Sequence, residues 1–346
     1  MTHRGLSLRT LAQLLLSVAL LSGCGGSGSS ETPQASGSSL APAGDCDGSC
    51  ADSAAALSVA DVQRVLAQGI AQAEALGASA TIAVVDRVGN VLGVHRMAAR
   101  SLPVQIATDD PAQLRGGLEG LVLPAGSGGD AVSAIAKALT GAYLSSEGNA
   151  FSTRTANQII QEHFNPGELN QPSGPLFGVQ FSQLACSDFM LRGNPAILSA
   201  GPQPSPLGLA ADPGGFPLYK NGTPVGGVGV MADGHYGIDR NVADRDEDLD
   251  ERIALAASFG FAAPADRRAN VITVDGKTLR FSDVSFEELS ADPAQAPPYA
   301  ALTGSSGSLV MVPGYTSARV RAGTRFGTVA SGIAPINPAG GRTAFG

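Results

Sequence analysis

Acidic side chains at positions 244, 246, 248 and 251 have the chemistry of a calcium site, because Ca²⁺ binds carboxylate oxygens. An EF-hand loop, however, needs glycine at its sixth position and glutamate at its twelfth, and this stretch has neither. Carboxylates in the first turns of a helix are stabilised by the positive end of the helix dipole. We therefore predict no metal site. Asp244, Asp246, Asp248 and Glu251 are interpreted as the solvated start of a helix over about 243–259.

Signatures of nucleophilic and nucleotide chemistry are incomplete in this sequence. No Gly-x-Ser-x-Gly elbow occurs, and the sequence places no histidine beside Cys186. The glycines of residues 226–229 lack the context of a dinucleotide fingerprint, and residues 126–130 lack the lysine of a phosphate loop. Both stretches are interpreted as turns or close-packed strands. We therefore predict no catalytic residues.

His163 is the histidine with the strongest case for binding a ligand. It shares an apolar face with Ala156, Ile159 and Ile160 at helical spacing. Arg154 lies on the same predicted helix and could supply a positive charge. The alternative is that His163 only contacts the free carbonyl groups of the last helical turn.

His95 and the neighbours His235 and Tyr236 are the other candidates. His95 lies on a predicted strand and shares a face with Val91 and Met97, so it is either a satisfied core or edge histidine or a ligand. His235 and Tyr236 follow a predicted hairpin, and they either close over a pocket or form an exposed turn. The sequence leaves these alternatives open.

The elements that would carry these residues alternate between helices and hairpins. Ser58 and Asp61 form a capping box at the start of the first helix, and Gly77 is suited to a left-handed cap after it. Asn221 and Gly222 tolerate the positive φ of a type I′ turn. In chain order the predicted elements are a helix over 58–76, a hairpin of 81–85 and 91–97, helices near 131–142 and 156–163, a hairpin of 216–220 and 224–231, and the helix over 243–259.

Three stretches carry a family resemblance: Thr81 to Met97 (TIAVVDRVGNVLGVHRM), Lys137 to Ala156, and Gly215 to Val230 (GFPLYKNGTPVGGVGV). In these residues and in the order of its elements, the chain resembles the GlcG and HbpS family, also seen at the carboxyl end of PduO-type proteins. The resemblance covers roughly residues 57–262. It implies an α+β, profilin-like fold with a central antiparallel sheet and packed helices, and a tendency to form homo-oligomers.

Because several members of that family are described as haem-binding, the resemblance implies haem or another tetrapyrrole as a ligand. A haem site needs an axial donor, apolar walls and a cation for the propionates. The candidates in this sequence are His163, Arg154, His95, His235 and Tyr236. Two alternatives stay open: a non-catalytic envelope interaction or assembly module, and a small-molecule enzyme or chaperone linked to hydroxy acids or corrinoids.

The first 23 residues have the layout of a signal peptide that is removed. Arg4 and Arg9 precede an apolar run over 11–21, which is shorter than the about 20 residues that cross a bilayer. Leu-Ser-Gly-Cys at 21–24 resembles the lipobox of bacterial lipoproteins, so Cys24 is predicted to carry a lipid anchor in the cell envelope. Position 25 is glycine and not aspartate, which by diderm sorting rules indicates the outer membrane, facing either the periplasm or the surface.

Residues 24–56 are predicted to form a flexible stalk, because glycine, serine, alanine and proline dominate them and bury too little apolar surface to fold. Cys46, Cys50 and Cys186 leave an odd number of thiols once Cys24 is lipidated. Cys46 and Cys50 could close a small disulfide loop, or one of them could pair with Cys186. No histidine accompanies them at zinc spacing, which argues against a metal site.

The predicted partners are therefore a membrane, through the lipid anchor, and a small molecule. A formal charge of −8 and a pI near 5.0 argue against nucleic acid, because no basic stripe could neutralise phosphates. The predicted organisation is signal peptide 1–23, stalk 24–56, GlcG/HbpS-like domain 57–262 and a small β-rich extension over 263–346. Within the domain, residues 98–130 and 165–214 are predicted to be long loop insertions that could shape a pocket.

Overall fold

The computed structural model describes residues 55–98, 102–107, 119–164, 170, 172–177, 207–325 and 329–331. The predicted lipidation site Cys24, the predicted disulfide residues Cys46 and Cys50, and Cys186 lie outside these residues, as does most of the predicted stalk. No helix in the described part of the chain is both long enough and apolar enough to cross a membrane.

The first helix, α1 (Val59–Ala75), begins and ends where its sequence predicts. The Ser58 hydroxyl accepts a hydrogen bond from the Asp61 amide (3.2 Å), and the Asp61 carboxylate accepts one from the Ser58 amide (2.8 Å). Gly77 follows the helix with φ +67°, which glycine adopts without a Cβ clash. The apolar face of the helix is buried in the core: Val62, Val65, Leu66, Ile70 and Ala73.

Five strands form the central sheet: β1 (Thr81–Asp86), β2 (Val91–Arg96), β5 (Gly215–Lys220), β6 (Thr223–Met231) and β10 (Ser308–Leu309). Their order is β10-β2-β1-β6-β5, and every neighbouring pair is antiparallel. Both predicted hairpins, β1-β2 and β5-β6, are therefore present. The turn between β5 and β6 has φ +49° at Asn221 and +73° at Gly222, the positive values that a type I′ turn requires.

A second, smaller sheet consists of β3 (Val104–Ile106), β4 (Val122–Leu123) and β7 (His235–Tyr236). β3 pairs antiparallel with β4 and parallel with β7. Because β3 and β4 fall inside 98–130, the first predicted insertion is partly strand and not loop throughout. In the second predicted insertion, the structure describes residues 170, 172–177 and 207–214.

Helices α2 (Gly129–Tyr143), α3 (Thr153–Ile159) and α4 (Leu249–Ala257) complete the main body. Side chains alternate between the two faces of β1, so Ile82 and Val84 join the core formed with α1 and α4, whereas Ala83 and Val85 join the core formed with α2. Helices thus cover both faces of the central sheet. The predicted α+β class, with a central antiparallel sheet and packed helices, is confirmed.

Gly227 and Gly229 allow α2 to approach β6 closely. A Cβ at Gly227 would lie 2.1 Å from the carbonyl oxygen of Ala138, and a Cβ at Gly229 would lie 2.1 Å from that of Ala134. The interpretation of residues 226–229 as close-packed strand is therefore confirmed.

The end of α3 differs from the prediction. The helix stops at Ile159, with Ile160 as its cap, so His163 lies beyond it and not on its apolar face. Leu176 donates its amide to the carbonyl of Ile159 (3.0 Å), and Gly174 donates to that of Gln161 (2.9 Å). The carbonyl groups of Ile159 and Gln161 therefore accept bonds from outside the helix, and a longer α3 would need them as acceptors for its next turn.

The start of α4 also differs from the prediction. Its N-cap is Asp248, whose carboxylate accepts from the Glu251 amide at 2.6 Å, so residues 243–247 precede the helix. Asp250 and Glu251 are at most 1% exposed. The interpretation of this acidic stretch as solvated is therefore wrong for Glu251.

The C-terminal segment, defined here as residues 263–325, is not β-rich. Its strands β8 (Thr273–Val274), β9 (Lys277–Thr278) and β10 have two residues each, and it also forms a short helix, α5 (Tyr299–Leu302). The predicted β pattern failed because the apolar residues of the segment pack on the main core and not on a sheet of their own. Leu279, Phe281 and Val284 share the core cluster of α1 and α4.

Candidate functional site

Lys137 lies at the centre of a buried charged cluster. α2 places its fully buried side chain with Nζ 2.5 Å from Oδ2 of Asp250 and in contact with the carboxylate of Asp212. Asp250 is held in turn by the backbone, because its Oδ1 accepts from the Ala232 amide at 2.6 Å. One lysine thus faces two carboxylates in the interior of the protein.

The charges in this cluster shift one another's titration. Burial alone lowers the pKa of Lys137, but the charges of Asp212 and Asp250 outweigh burial and hold that pKa well above its ordinary value. Burial raises the pKa of Asp212 to about 7, against the lowering effect of Lys137. Burial also raises the pKa of Asp250 well above its usual range. Lys137 therefore stays protonated, whereas Asp212 titrates near neutral pH.

Arg154, which the sequence offered for haem propionates, is surrounded by carboxylates. Its Nη1 lies 2.6 Å from Asp246 and 3.3 Å from Asp239, and its Nη2 lies 3.1 Å from Glu251 and 3.4 Å from Asp283. The side chain is only 2% exposed. Four protein carboxylates therefore already occupy the guanidinium group, which leaves no room for a propionate beside it.

A pocket of about 200 Å³ is lined by carboxylates that contact Lys137 and Arg154, and we call it the acidic pocket. Asp239 and Asp246 line the pocket, and their carboxylate oxygens and that of Asp244 lie within 4.8 Å of one another. Arg154 already neutralises Asp239 and Asp246, so the geometry does not require a cation there. The acidic pocket is lined by Asp212, Pro213, His235, Asp239, Asp246 and Asp248.

His235 and Tyr236 differ in their exposure. The His235 side chain is 40% exposed at the wall of the acidic pocket, with Nδ1 3.8 Å from Oδ1 of Asp212. Tyr236 is fully buried in the core formed with α2. Only His235 of this pair therefore borders a cavity, and its surroundings would repel an anionic ligand.

The other two candidate histidines lie apart from the acidic pocket. His163 is exposed after the end of α3. His95 is fully buried, with Nδ1 2.9 Å from the Tyr299 hydroxyl and Nε2 3.0 Å from the Ser306 carbonyl oxygen. Burial lowers the pKa of His95, so it stays neutral at pH 7. His95 is a core histidine that fixes the C-terminal segment, one of the two alternatives that the sequence left open.

A larger cleft of about 500 Å³ lies between the end of α4 and the C-terminal segment, and we call it the aromatic cleft. Phe259 and Phe286 meet edge to face in its wall, with ring centroids 5.7 Å apart. Phe281 forms another part of the wall, and the guanidinium carbon of Arg268 lies 5.6 Å from its ring centroid. Arg245 lines the cleft as well and pairs with Glu288. The cleft thus combines flat apolar surfaces with charged groups of both signs, because Asp283, Glu287 and Glu288 also line it.

The sequence candidates do not assemble a haem site. His95 has both ring nitrogens engaged, His163 borders neither cavity, and His235 faces carboxylates that would repel propionates. The aromatic cleft supplies apolar walls and cations. Its lining, as far as the chain is described, includes no histidine, methionine, cysteine or tyrosine to serve as an axial donor. Among the described residues, the lining of this cleft therefore lacks a group that could coordinate haem iron.

Sequence reasoning missed most residues of these sites, among them Lys137, Asp212 and Arg268. Lys137 was detectable, because a lysine between Ile135, Ala138 and Leu139 on an apolar helix is a signal for a buried partner. Arg268 carried no signal, since its role depends on a segment that folds back from beyond the predicted domain.

No family model matches this sequence, and no curated protein matches it. Several solved structures are similar to it, among them the following three. Protein ORFY of Klebsiella pneumoniae, with the family-model DUF336, is 16% identical with a TM-score of 0.33, over 58% of this chain and 88% of that one. The PduOC:haem complex is 16% identical with a TM-score of 0.31, and the match covers 59% of this chain and 93% of that chain. A double mutant of HbpS from Streptomyces reticuli is 20% identical with a TM-score of 0.30, and the match covers 63% of this chain and 94% of that chain.

Proposed function

We propose that this chain is a lipid-anchored protein of the cell envelope whose folded part binds a planar, mostly apolar small molecule, with haem or another tetrapyrrole as the first candidate. The observation that carries the proposal is the aromatic cleft. Its volume of about 500 Å³ lies within the roughly 300–1,000 Å³ that is typical of small-molecule sites. Phe259, Phe281 and Phe286 offer the ring faces and edges on which a planar ligand packs.

Binding in this cleft would depend on packing and charge. The three phenylalanines would contact the flat part of the ligand, and a cation of the lining would hold an acidic group. Haem is the compound to test first because the sequence resemblance implies it. No chemical step is assigned, so the proposed role is capture or transport and not catalysis.

The proposed anchor is Cys24, acylated after removal of the signal peptide. The stalk over 24–56 would then separate the folded part from the membrane, which we propose to be the outer membrane. Replacing Cys24 with serine should move the protein from the membrane fraction to the soluble fraction of the cell envelope. Retention of the Cys24→Ser protein in the membrane fraction would argue for a different mode of attachment.

Haemin titration of the full-length protein in detergent tests the ligand. The Soret band should change saturably in the wild type. Ala265→Trp fills the cleft from an exposed position of its rim, and it should weaken haemin binding at least about tenfold. Ala294→Trp is the matched control, because Ala294 is equally exposed in another short turn and does not line the cleft.

The histidine variants distinguish this proposal from iron coordination by the sequence candidates. His163→Ala and His95→Ala should retain saturable binding once their folding is verified by circular dichroism. Loss of binding in a folded His163→Ala protein would move the site to that residue. Absence of saturable haemin binding in the wild type would overturn the tetrapyrrole proposal and favour the envelope interaction module.

A further inference from the structure

Arg268 is a half-buried cation of the aromatic cleft, and it forms no ion pair with a carboxylate among the described residues. Its Nε donates to the Ala263 carbonyl oxygen at 3.0 Å, and its guanidinium group lies over the Phe281 ring. Lys137 contacts two carboxylates and Arg154 contacts four. Arg268 is thus a charged group that lines a cavity and is paired with none of the carboxylates there.

The acidic side chains of the aromatic cleft are engaged elsewhere or exposed. Glu288 pairs with Arg245 at the rim, and Asp283 pairs with Arg280 and Arg154. Glu287 lies exposed at the surface. Burial accordingly lowers the pKa of Arg268 from its ordinary value, because water is withdrawn from the charge and no anion replaces it.

We infer that Arg268 binds a carboxylate group of the ligand, and that the aromatic cleft therefore selects planar apolar acids over neutral molecules of the same shape. This inference rests on the proposed function and names the ligand class of the same site. A guanidinium group presents paired N–H donors that match the two oxygens of a carboxylate. The Phe281 ring beneath it restricts the orientation of the guanidinium plane, so less freedom is lost when the ligand binds.

Protoporphyrin IX and its dimethyl ester provide the test, because they share the flat ring system and differ in the two carboxylates. Both lack iron, so coordination plays no part. Each is titrated into the full-length protein in the same detergent buffer and followed by absorbance. We expect the wild type to bind the acid at least about tenfold more tightly than the ester.

Variants at Arg268 assign the preference to this residue. Arg268→Ala should weaken binding of the acid about tenfold or more and leave the ester unchanged. Arg268→Lys keeps the charge but loses the paired donors. Its affinity for the acid should therefore lie between those of the wild type and of Arg268→Ala. Arg268→Gln retains a side chain over Phe281 and replaces the alanine variant if that protein does not fold. Arg319→Ala removes an exposed arginine outside the cleft and is the control.

The outcomes separate this inference from the proposed function. If the wild type binds acid and ester equally and Arg268→Ala changes neither, the inference is overturned while small-molecule binding in the cleft stands. If the acid is preferred but Arg268→Ala keeps the preference, another cation binds the carboxylate and the inference also fails. If the wild type binds neither compound, the proposed function itself is overturned.

Discussion

Lys137 Nζ lies 2.5 Å from Asp250 Oδ2, and neither side chain is more than 1% exposed. The ion pair connects the middle of α2 to the first turn of α4 across one end of the central sheet. Asp212 contacts the same ammonium group, so the cluster has two carboxyl groups for one ammonium group. Burial of charge is costly unless each group keeps its partners, and the stability of this cluster therefore depends on all three residues.

Replacing Lys137 with methionine should destabilise the protein by about 3–5 kcal/mol, because the change leaves two buried carboxylates without their cation. The measurement is the free energy of unfolding from urea denaturation at pH 7. Lys220→Met is the control, because its pair with Asp61 is partly exposed, at 34% and 22%, and such pairs contribute about 0–1 kcal/mol. Equal losses in the two variants would contradict the central role of Lys137.

The free energy of unfolding should fall as pH rises from 5 to 8. The folded-state pKa values of Asp212 and Glu251 are both raised to about 7, from ordinary values of 3.8 and 4.5. The folded protein therefore binds protons more strongly than the unfolded chain. This contribution to stability is fully present below pH 4 and is lost as pH rises through 7, by at most about 1.4 kcal/mol per pH unit for each group.

Urea denaturation at several pH values tests this slope. Asp212→Asn should reduce the slope, because the asparagine does not titrate. A free energy of unfolding that increased between pH 5 and 8 would show that other groups dominate the titration of the folded state.

Local patterns predicted most of the central body. Three of these patterns involve only residues that are close in sequence. They are the capping box at Ser58 and Asp61, the Asn221-Gly222 turn and the alternation along β1. The boundary of α3 was missed because residues about 15 positions away, at 174 and 176, take its carbonyl groups. Helical spacing alone does not contain that information.

The candidate sites were less predictable than the fold. Arg154 was found from its position on a helix, but its four carboxylate partners come from three later stretches of the chain. The aromatic cleft forms between α4 and a segment that the sequence assigned to a separate extension. Sites made by long-range contacts depend on tertiary packing, which neither periodicity nor motif spacing specifies.

Gly229→Ala should destabilise the protein by about 1–3 kcal/mol, because the new Cβ would lie 2.1 Å from the Ala134 carbonyl oxygen and would push α2 from the sheet. Gly93→Ala is the matched control in β2, another strand of the same sheet. Its nearest neighbouring atom would be 3.7 Å from the new Cβ, an ordinary contact, so its stability should stay within about 0.5 kcal/mol of the wild type or increase. Thermal unfolding of the two variants measures the difference. Similar midpoints would show that α2 can move away at little cost.

The C-terminal segment covers the outer edge of β2, and a single proline should loosen it. The Val310 amide donates to the Val94 carbonyl oxygen at 2.8 Å, and the Arg321 amide donates to that of Leu92 at 2.8 Å. Val310→Pro removes the first donor, and a strand edge left uncovered pairs readily with other chains. We expect faster hydrogen exchange in residues 91–97 and more association in light scattering. Met311→Pro is the control, because that side chain is 53% exposed and its amide makes no backbone bond in the described part of the chain. Identical exchange in both proline variants would mean that the Val310 bond does not hold the segment on β2.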